Sequence, residues 1–249
     1  MLILLSNDDG VHSAGLTALR DVFRDKHTVY VIAPDRERTC VAHAITIHKP
    51  LRVNDLGDNV FSTSGTPADC VYIGVRTLLP RPPDLIISGI NSGANMGQDV
   101  NYSGTVAAAK EGALLGIPSV SVSMNGRSNF FFTEGAKIIE EIADLIMRRP
   151  PPEGTFLNIN IPNIPHGQIS GFMVTRLGKR IYNDKVTVRI DPRGSRYYWI
   201  GGDGENYEPI DGTDFLAIEK GCVSITPLGL DTTSESSIEI YRTYFRRHG

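Results

Sequence analysis

Two patterns of hydrophobic and polar positions alternate along the first 160 residues. Short, continuous apolar runs are typical of strands that are covered on both faces, and they are separated by stretches with apolar residues at helical spacing. The runs are Leu2–Leu5, Val29–Ala33, Asp84–Ser88, Pro118–Ser123 and Phe156–Ile161. This alternation predicts β-α-β units around a parallel sheet, and therefore an α/β fold.

The clearest predicted helix spans about Glu134 to Arg148. Its apolar positions share one face, and Pro150–Pro152 end it. Other helices are predicted from about Ala14, from an N-cap at Thr66 and over Val106–Leu115. The segment from about Val41 to Ser64 does not fit the alternation, and we expect it to be a short antiparallel insertion.

The pattern changes after about Ser170. Val186–Ile190 and Tyr197–Ile200 alternate or carry aromatic residues, which is typical of a hairpin, and Ile238–Arg247 has helical spacing. We expect residues 171–249 to form an extended β-hairpin arm and a terminal helix, next to a core of residues 1–170. Such elements cannot bury their own apolar side chains, so packing on a second subunit is expected.

Composition narrows the class of protein. The chain has 249 residues, a formal net charge of −3 and 41% hydrophobic residues, enough for one sizeable core. The weak acidity argues against binding nucleic-acid polymers through bulk positive charge. No apolar run approaches the ~18–20 residues of a membrane span. The Met1–Leu5 run stops at Ser6 and lacks a basic leader, so we expect no signal peptide. The three cysteines are an odd count, which favours a reducing compartment, and we therefore expect a cytoplasmic protein.

The polar residues that follow the predicted strands offer only oxygen ligands. Asp8 and Asp9 are adjacent carboxylates that repel one another unless a cation or a proton neutralises them. With Asn91 and the Thr39 hydroxyl nearby, the set favours a hard divalent ion such as Mg²⁺ or Mn²⁺ over zinc. The alternative is that Asp8 caps the next helix and Asp9-Gly10 is an ordinary turn.

A second polar segment leads into the Ala-rich helix. Ser103 and Thr105 offer hydroxyls, Gly104 allows close backbone approach, and free N–H groups at a helix N-terminus bind anions. The alternative is a plain N-cap. His12 and His43 are the histidines nearest these loops, and we interpret them as structural rather than catalytic.

Eight segments together resemble the SurE (survival protein E) phosphatases. They run through nearly the whole chain: Ser6–Gly10, Ala33–Arg36, Gly65–Cys70, Ser88–Asn91, Tyr102–Val106, Thr175–Gly178, Tyr198–Gly202 and Val223–Leu228. The resemblance implies a single domain with a Rossmann-like three-layer core and a C-terminal arm exchanged between subunits of a homodimer or homotetramer.

The resemblance also implies an activity and its residues. It implies a phosphatase with one divalent metal ion per subunit, Mg²⁺ or Mn²⁺, that acts on nucleoside 5′- and 3′-monophosphates and on short polyphosphate. The implied metal ligands are Asp8, Asp9, Thr39 and Asn91, with Asp8 and Asp9 also catalytic. The implied phosphate-binding residues are Asn95, Ser103, Gly104 and Thr105. The family commonly has Ser-Gly where this chain has Thr39-Cys40, and the threonine methyl restricts the side-chain torsion at that ligand.

Two other classes of protein share part of this pattern. A receiver-type signalling domain also has paired acids after its first strand, but it is shorter and needs a third acid, for which Asp99 is a poor substitute. A nucleotide-binding regulator without turnover would keep the phosphate site but would not need paired carboxylates. The hypothesis drawn from the sequence is hydrolysis of a phosphate monoester, with water favoured over an aspartate as nucleophile.

Overall fold

A computed structural model describes residues 1–182, 185–201 and 206–246. The helices are α1 Ala14–Phe23, α2 Pro67–Ile73, α3 Gly104–Leu114, α4 Phe132–Arg148, α5 Asp214–Glu219 and α6 Glu235–Phe245. The strands are β1 Leu2–Ser6, β2 Thr28–Pro34, β3 Val53–Asp55, β4 Val60–Thr63, β5 Leu85–Ser92, β6 Ser119–Asn125, β7 Thr155–Pro162, β8 Gly171–Val174, β9 Arg180–Ile181, β10 Lys185–Ile190, β11 Arg196–Gly201, β12 Asn206–Tyr207 and β13 Cys222–Gly229.

Nine of these strands form one sheet in the order β3-β4-β2-β1-β5-β6-β7-β13-β8. The six strands β4, β2, β1, β5, β6 and β7 are parallel to one another. The predicted parallel sheet is therefore confirmed, and each of its five predicted strands is present. The five residues of β1 are all buried, as their continuous apolar run predicts.

The sheet lies between two helical layers. Alternate residues of β1 point to opposite faces: Ile3 and Leu5 join the core formed with α1 and α4, whereas Leu2 and Leu4 join the core formed with α2 and α3. This arrangement confirms the three-layer α/β architecture.

The order in which strands are added to the sheet changes direction at β1. The connections from β1 through β2 to β4 run toward one edge of the sheet, and β5, β6 and β7 follow on the other side of β1. β1 leads into α1 on one face, and β5 leads into α3 on the opposite face. Open α/β sheets bind ligands in the crevice at such a switch point. The fold thus brings the ends of β1 and β5 together at the position where a ligand site is expected.

The segment from Val41 to Ser64 agrees only in part with the predicted antiparallel insertion. β3 and β4 are antiparallel to one another, with Val53 opposite Thr63. However, β4 also pairs in parallel with β2, where Val31 lies opposite Val60. The hairpin therefore extends the main sheet instead of standing apart from it, because β4 offers β2 an unpaired strand edge.

The main sheet also uses the part of the chain after residue 170. β13 pairs antiparallel with β7, and β8 pairs in parallel with β13. α5 contributes Phe215 and Ile218 to a small core cluster with Met96. The sheet therefore continues beyond the expected limit of the core at residue 170, although the hairpin and terminal helix lie within residues 171–249 as predicted.

The hairpin pairs β10 with β11 in antiparallel register, with Val188 opposite Tyr198. Its apolar side chains are exposed, Ile200 at 85% and Trp199 at 65%, and α6 exposes its aromatic residues as well. Gly202 of the matching segments and Arg247, the predicted helix end, lie outside the described residues. Within the described parts of the chain, no helix is both long and apolar enough to cross a membrane.

Candidate active site

The turn after β1 is organised by a buried asparagine. The Asn7 amide donates to Gly10 O at 3.1 Å and to Ser13 Oγ at 2.6 Å, and Gly10 N–H returns a bond to Asn7 Oδ1. Gly10 has a φ of +100°, a conformation that glycine adopts without strain. Ser13 caps α1 by accepting from Leu16 N–H. The turn therefore fixes the two residues between Asn7 and Gly10, which are the paired aspartates.

Asp8 is buried at the end of β1, with a relative exposure of 7%. Its carboxylate accepts a hydrogen bond from the Thr105 hydroxyl, and its backbone carbonyl accepts one from Arg38 N–H at 2.7 Å. Burial, with a contribution from the neighbouring Asp9 charge, raises the pKa of Asp8 from 3.8 to about 6, although the Thr105 bond acts in the opposite direction. The site therefore stabilises a charged Asp8 poorly unless positive charge is supplied.

Asp9 lies beside the end of β5. Its Oδ2 accepts from Ser92 N–H at 3.2 Å and from Ser92 Oγ at 3.3 Å. Burial raises its pKa above the ordinary value, Ser92 opposes this, and the charge of Glu37 adds to the increase. The two adjacent aspartates of the turn after β1 therefore both favour a nearby positive charge.

Asn91 and Thr39 line the same cavity as the aspartates. The Asn91 side-chain nitrogen donates to Gly93 O at 2.8 Å, so its amide oxygen is the atom available to a cation. The Thr39 hydroxyl donates to Glu37, which leaves lone pairs on the hydroxyl oxygen. The structure therefore brings all four residues of the expected metal site together.

The N-terminus of α3 lies directly beside Asp8 at the end of β1. Ser103 is the N-cap, and its Oγ accepts from Val106 N–H at 3.1 Å, so the hydroxyl hydrogen remains available to an anion. Thr105 is fully buried, and its hydroxyl is bonded to Asp8. Of the residues expected to bind phosphate here, Thr105 thus supports Asp8 with its side chain, and Ser103 faces the cavity.

Asn95 lies on the loop after β5 and is 8% exposed. It also lines the cavity. Its side-chain nitrogen donates to Ser123 Oγ at 2.8 Å, and its backbone bonds to Asn158 and Asn160 of β7. Those two asparagines were not predicted from the sequence.

The cavity between these elements has a volume of about 630 Å³. Four carboxylates line it, those of Asp8, Asp9, Glu37 and Asp99, and none of its described lining residues is Lys, Arg or His. An anionic ligand would therefore meet net negative charge unless a cation is bound as well. Glu37 and Asp99 were not among the expected site residues, and their positions depend on the folding of two distant loops.

The two histidines considered from the sequence lie outside this cavity lining. His43 Nε2 is 2.8 Å from Oε2 of the buried Glu111, and His12 lines a separate surface depression near Asp58. The loop that carries Thr39 is further fixed by Thr46, whose N–H and hydroxyl both donate to Asp69 at 2.8 and 2.6 Å. The interpretation of His43 as structural agrees with its hydrogen bond to Glu111.

Asp99 connects the site to the base of the arm. Its carboxylate accepts from Tyr182 OH at 2.7 Å and pairs with Arg180 at 2.7 Å. Two residues earlier in the same loop, Gly97 N–H donates to Asp214 Oδ2 at 2.8 Å. The other oxygen of Asp214, Oδ1, accepts from Gly178 N–H at 2.8 Å. Residues after 170 therefore fix the loop that carries Asn95.

The donor set fits a hard divalent cation. Among the described residues, no group of three or more His, Cys, Asp or Glu side chains is arranged to hold a metal ion. The site instead combines two carboxylates with an amide and a hydroxyl, all oxygen ligands, which suits Mg²⁺ or Mn²⁺. The raised pKa values of Asp8 and Asp9 have the same implication, since a cation would relieve the cost of burying both charges.

Fold and site together define an α/β protein with an acidic, oxygen-lined cavity at the switch point of its sheet. The family model described as "Survival protein SurE" matches residues 3–184. Proteins named "5′-nucleotidase SurE" are 45% identical over 246 residues in Geobacter sulfurreducens, covering 98% of this chain and 94% of the relative, and 47% identical over 245 residues in Pelobacter propionicus, covering 98% and 99%.

The crystal structure of the SurE protein from Aquifex aeolicus superposes with a TM-score of 0.89 at 42% identity, covering 98% of this chain and 100% of that one. The chain belongs to the SurE family. The resemblance seen in its sequence segments is thereby confirmed.

Proposed function

We propose that the chain is a metal-dependent phosphomonoesterase that hydrolyses nucleoside 5′-monophosphates to nucleoside and phosphate. The name of its relatives, 5′-nucleotidase SurE, supports a nucleotidase. We extend the proposal to nucleoside 3′-monophosphates and short polyphosphate, because the cavity is open and its lining offers phosphate contacts that do not depend on the rest of the substrate.

One observation carries this proposal. The Asp8–Asp9 pair and Ser103, the N-cap of α3, line one cavity that has no lining Lys, Arg or His among its described residues. A phosphate monoester needs positive charge there, and a cation held by the aspartates together with the N–H groups of the helix would supply it. A nucleotide-binding regulator would not need a buried Asp8 beside a half-buried Asp9, both with raised pKa values.

The proposed metal ligands are Asp8, Asp9, Asn91 and Thr39, for one divalent ion per subunit, Mg²⁺ or Mn²⁺. Such an ion, when bound, neutralises phosphoryl charge and acidifies water. The Thr105 hydroxyl donates a hydrogen bond to the Asp8 carboxylate, and Ser92 N–H donates one to the Asp9 carboxylate. These hydrogen bonds keep both carboxylates oriented toward the cavity.

The proposed phosphate-binding residues are Asn95, Ser103, Gly104 and Thr105. Ser103 can donate its hydroxyl hydrogen, and the Asn95 nitrogen has a second hydrogen beyond the one bonded to Ser123. Gly104 and Thr105 contribute backbone at the helix N-terminus, where partial positive charge favours the phosphoryl oxygens as charge redistributes.

We favour water over an aspartate as the nucleophile. Asp8 accepts from Thr105 and Asp9 from Ser92, and both are proposed metal ligands, so their oxygens already have other partners in this proposal. The stereochemistry at phosphorus tests this choice with a chiral phosphorothioate substrate in isotopically labelled water. Direct attack by water predicts inversion, whereas retention would indicate a phosphoaspartate and would contradict the choice.

We also propose a cytoplasmic homodimer or homotetramer whose hairpin β10–β11 and helix α6 are exchanged between subunits. The exposed apolar side chains of both elements support this, since a single chain leaves them in water. Sedimentation of the purified chain tests the assembly, and a monomer at micromolar concentration would contradict it.

The direct test of the activity is phosphate release from a panel of nucleoside monophosphates with Mn²⁺, with Mg²⁺ and with EDTA. We expect release with one or both metals and none with EDTA. Binding of nucleotides without release from any panel member would favour the regulator instead.

A further inference from the structure

Four polar side chains interrupt the apolar face of two central strands. Ser121 and Ser123 alternate on β6, and Asn158 and Asn160 alternate on β7, so all four point to one face of the sheet. In register, Ser121 lies opposite Asn158 and Ser123 opposite Asn160. All four residues have 0% relative exposure.

The two asparagines bond to a single residue more than 60 positions away. Asn160 Oδ1 accepts from Asn95 N–H at 2.9 Å, and Asn160 Nδ2 donates to Asn95 O at 3.0 Å. Asn158 Nδ2 donates to the same carbonyl at 2.9 Å, while Asn158 Oδ1 accepts from Ser121 at 2.8 Å. The backbone of Asn95 is thus held on both its donor and its acceptor by side chains of β7.

The side chain of Asn95 is held by the neighbouring strand. Its Nδ2 donates to Ser123 Oγ at 2.8 Å. Because Asn95 lies in a loop, its own segment provides little to fix it, and the rigid strands β6 and β7 do this instead. The hydrogen of Nδ2 that is not bonded to Ser123 is thereby given a defined direction.

Pairing the buried backbone of Asn95 accounts for part of this cluster, because a buried N–H or C=O without a partner is costly. The same bonds also fix where the Asn95 side chain lies. The bonds converge on Asn95, a loop residue that lines the cavity and belongs to the proposed phosphate site. This convergence indicates a role in placing Asn95.

We propose that Asn160, assisted by Asn158, is a positioning residue that holds Asn95 at the distance and angle needed to bind the phosphoryl group. The proposal rests on the phosphatase function proposed above. Displacing a substrate-binding group by about 1 Å can cost on the order of 100-fold in rate. The effect of Asn160 on catalysis is therefore expected to pass entirely through Asn95.

The test compares Asn160→Leu, Asn95→Ala and the double variant, with kcat and KM for a nucleoside 5′-monophosphate at saturating Mn²⁺. We expect Asn160→Leu to lower kcat/KM by about 10- to 100-fold. The double variant should be no worse than Asn95→Ala alone, because a positioning residue has nothing left to position. Losses that multiply, or unchanged kinetics in Asn160→Leu, would overturn the proposal.

The matched control is Ser224→Ala. Ser224 is also 0% exposed and lies opposite Asn160 on β13, but its hydroxyl bonds to Thr175. We expect its kcat/KM to stay within about twofold of wild type. If Asn160→Leu fails to fold, Asn160→Ser replaces it: the shorter side chain removes the two direct bonds to Asn95 and leaves space for water to pair that backbone, so a smaller loss of kcat/KM is expected, and wild-type kinetics would overturn the proposal.

Hydrogen exchange of the Asn95 backbone amide, followed by NMR, gives a readout that does not need activity. We expect protection in wild type and in Ser224→Ala, and at least about tenfold faster exchange in Asn160→Leu. If wild type releases no phosphate, the proposed function fails, and this exchange still reports whether Asn160 holds Asn95. Equal exchange in wild type and Asn160→Leu would contradict the positioning role.

Discussion

Gly104 occupies the position where any side chain would collide with Asp8. A Cβ built on Gly104 would lie 2.8 Å from Asp8 Cβ and 2.9 Å from Asp8 Oδ2. The next residue, Thr105, donates its hydroxyl to the same carboxylate. The first turn of α3 and the end of β1 therefore form one rigid unit, in which the proposed metal ligand and the proposed phosphate site are placed against each other.

Gly104→Ala is expected to disrupt this unit. The added methyl group must displace either Asp8 or the first turn of α3, at a cost of about 1–3 kcal/mol in the free energy of unfolding. Because both displaced groups belong to the site, we also expect phosphatase activity to fall at least about tenfold. Urea unfolding and steady-state kinetics measure the two effects.

Gly167→Ala is the control, since a Cβ at Gly167 would meet nothing within 4 Å. We expect its stability and activity to match those of wild type. An active, stable Gly104→Ala variant would show that Asp8 does not need its present position.

Thr39 is tested by two substitutions that differ at one group. Thr39→Ser keeps the hydroxyl and removes the methyl that restricts the side chain, so activity should equal or exceed that of wild type. Thr39→Val keeps the shape and removes the hydroxyl, so the Mn²⁺ concentration for half-maximal activity should rise by about tenfold or more. An unchanged Mn²⁺ requirement in Thr39→Val would remove Thr39 from the ligand set.

The raised pKa of Asp8 predicts how stability depends on pH without metal. Between its ordinary value of 3.8 and about 6, the folded protein binds more protons at Asp8 than the unfolded chain does. The free energy of unfolding therefore falls as pH rises through this range, by about 2 kcal/mol between pH 4.5 and 6.5 for this group. Urea unfolding in EDTA measures the slope.

Asp8→Asn should flatten that slope, whereas Asp35→Asn should leave it unchanged because Asp35 is exposed. Mn²⁺ affinity of the wild type should increase with pH over the same interval, because the cation competes with the proton at Asp8. A free energy of unfolding that rises between pH 4.5 and 6.5 in wild type, with the same slope in Asp8→Asn, would contradict a raised pKa of Asp8.

The exposed hairpin gives a prediction about assembly. Ile200→Asp places a charge on the apolar surface of β11, at a residue that is 85% exposed in the single chain. We expect light scattering after size-exclusion chromatography to show a smaller assembly than wild type. Ile47→Asp, at 77% exposure outside the arm, should keep the wild-type assembly. Equal masses for all three proteins would contradict an interface at β11.

Much of the fold was predictable because its signals are local. The continuous apolar run Leu2–Leu5 predicted a central strand, and the capping box of Thr66 and Asp69 is present as the sequence indicated. The residues following the strands, Asp8 and Asn91 among them, were also predictable as a group, since parallel strands bring their carboxyl ends to one edge of the sheet.

The supporting contacts were not predictable because they join distant segments. Asn158 and Asn160 lie 63 and 65 residues from Asn95, and Asp214 lies 117 residues from Gly97. One signal was present in the sequence: two asparagines at alternate positions of an otherwise apolar strand imply buried amides that need partners. The identity of those partners depends on the folded loop.

The central claim is that Asp8 and Asp9 hold a metal ion for phosphate ester hydrolysis. The most direct measurement is phosphate release from a nucleoside 5′-monophosphate by wild type and Asp9→Asn, each with Mn²⁺ and then with EDTA, after circular dichroism has shown that both proteins are folded. We expect release by wild type only, and only with Mn²⁺. Equal Mn²⁺-dependent release by Asp9→Asn, or release by wild type that EDTA does not abolish, would contradict it.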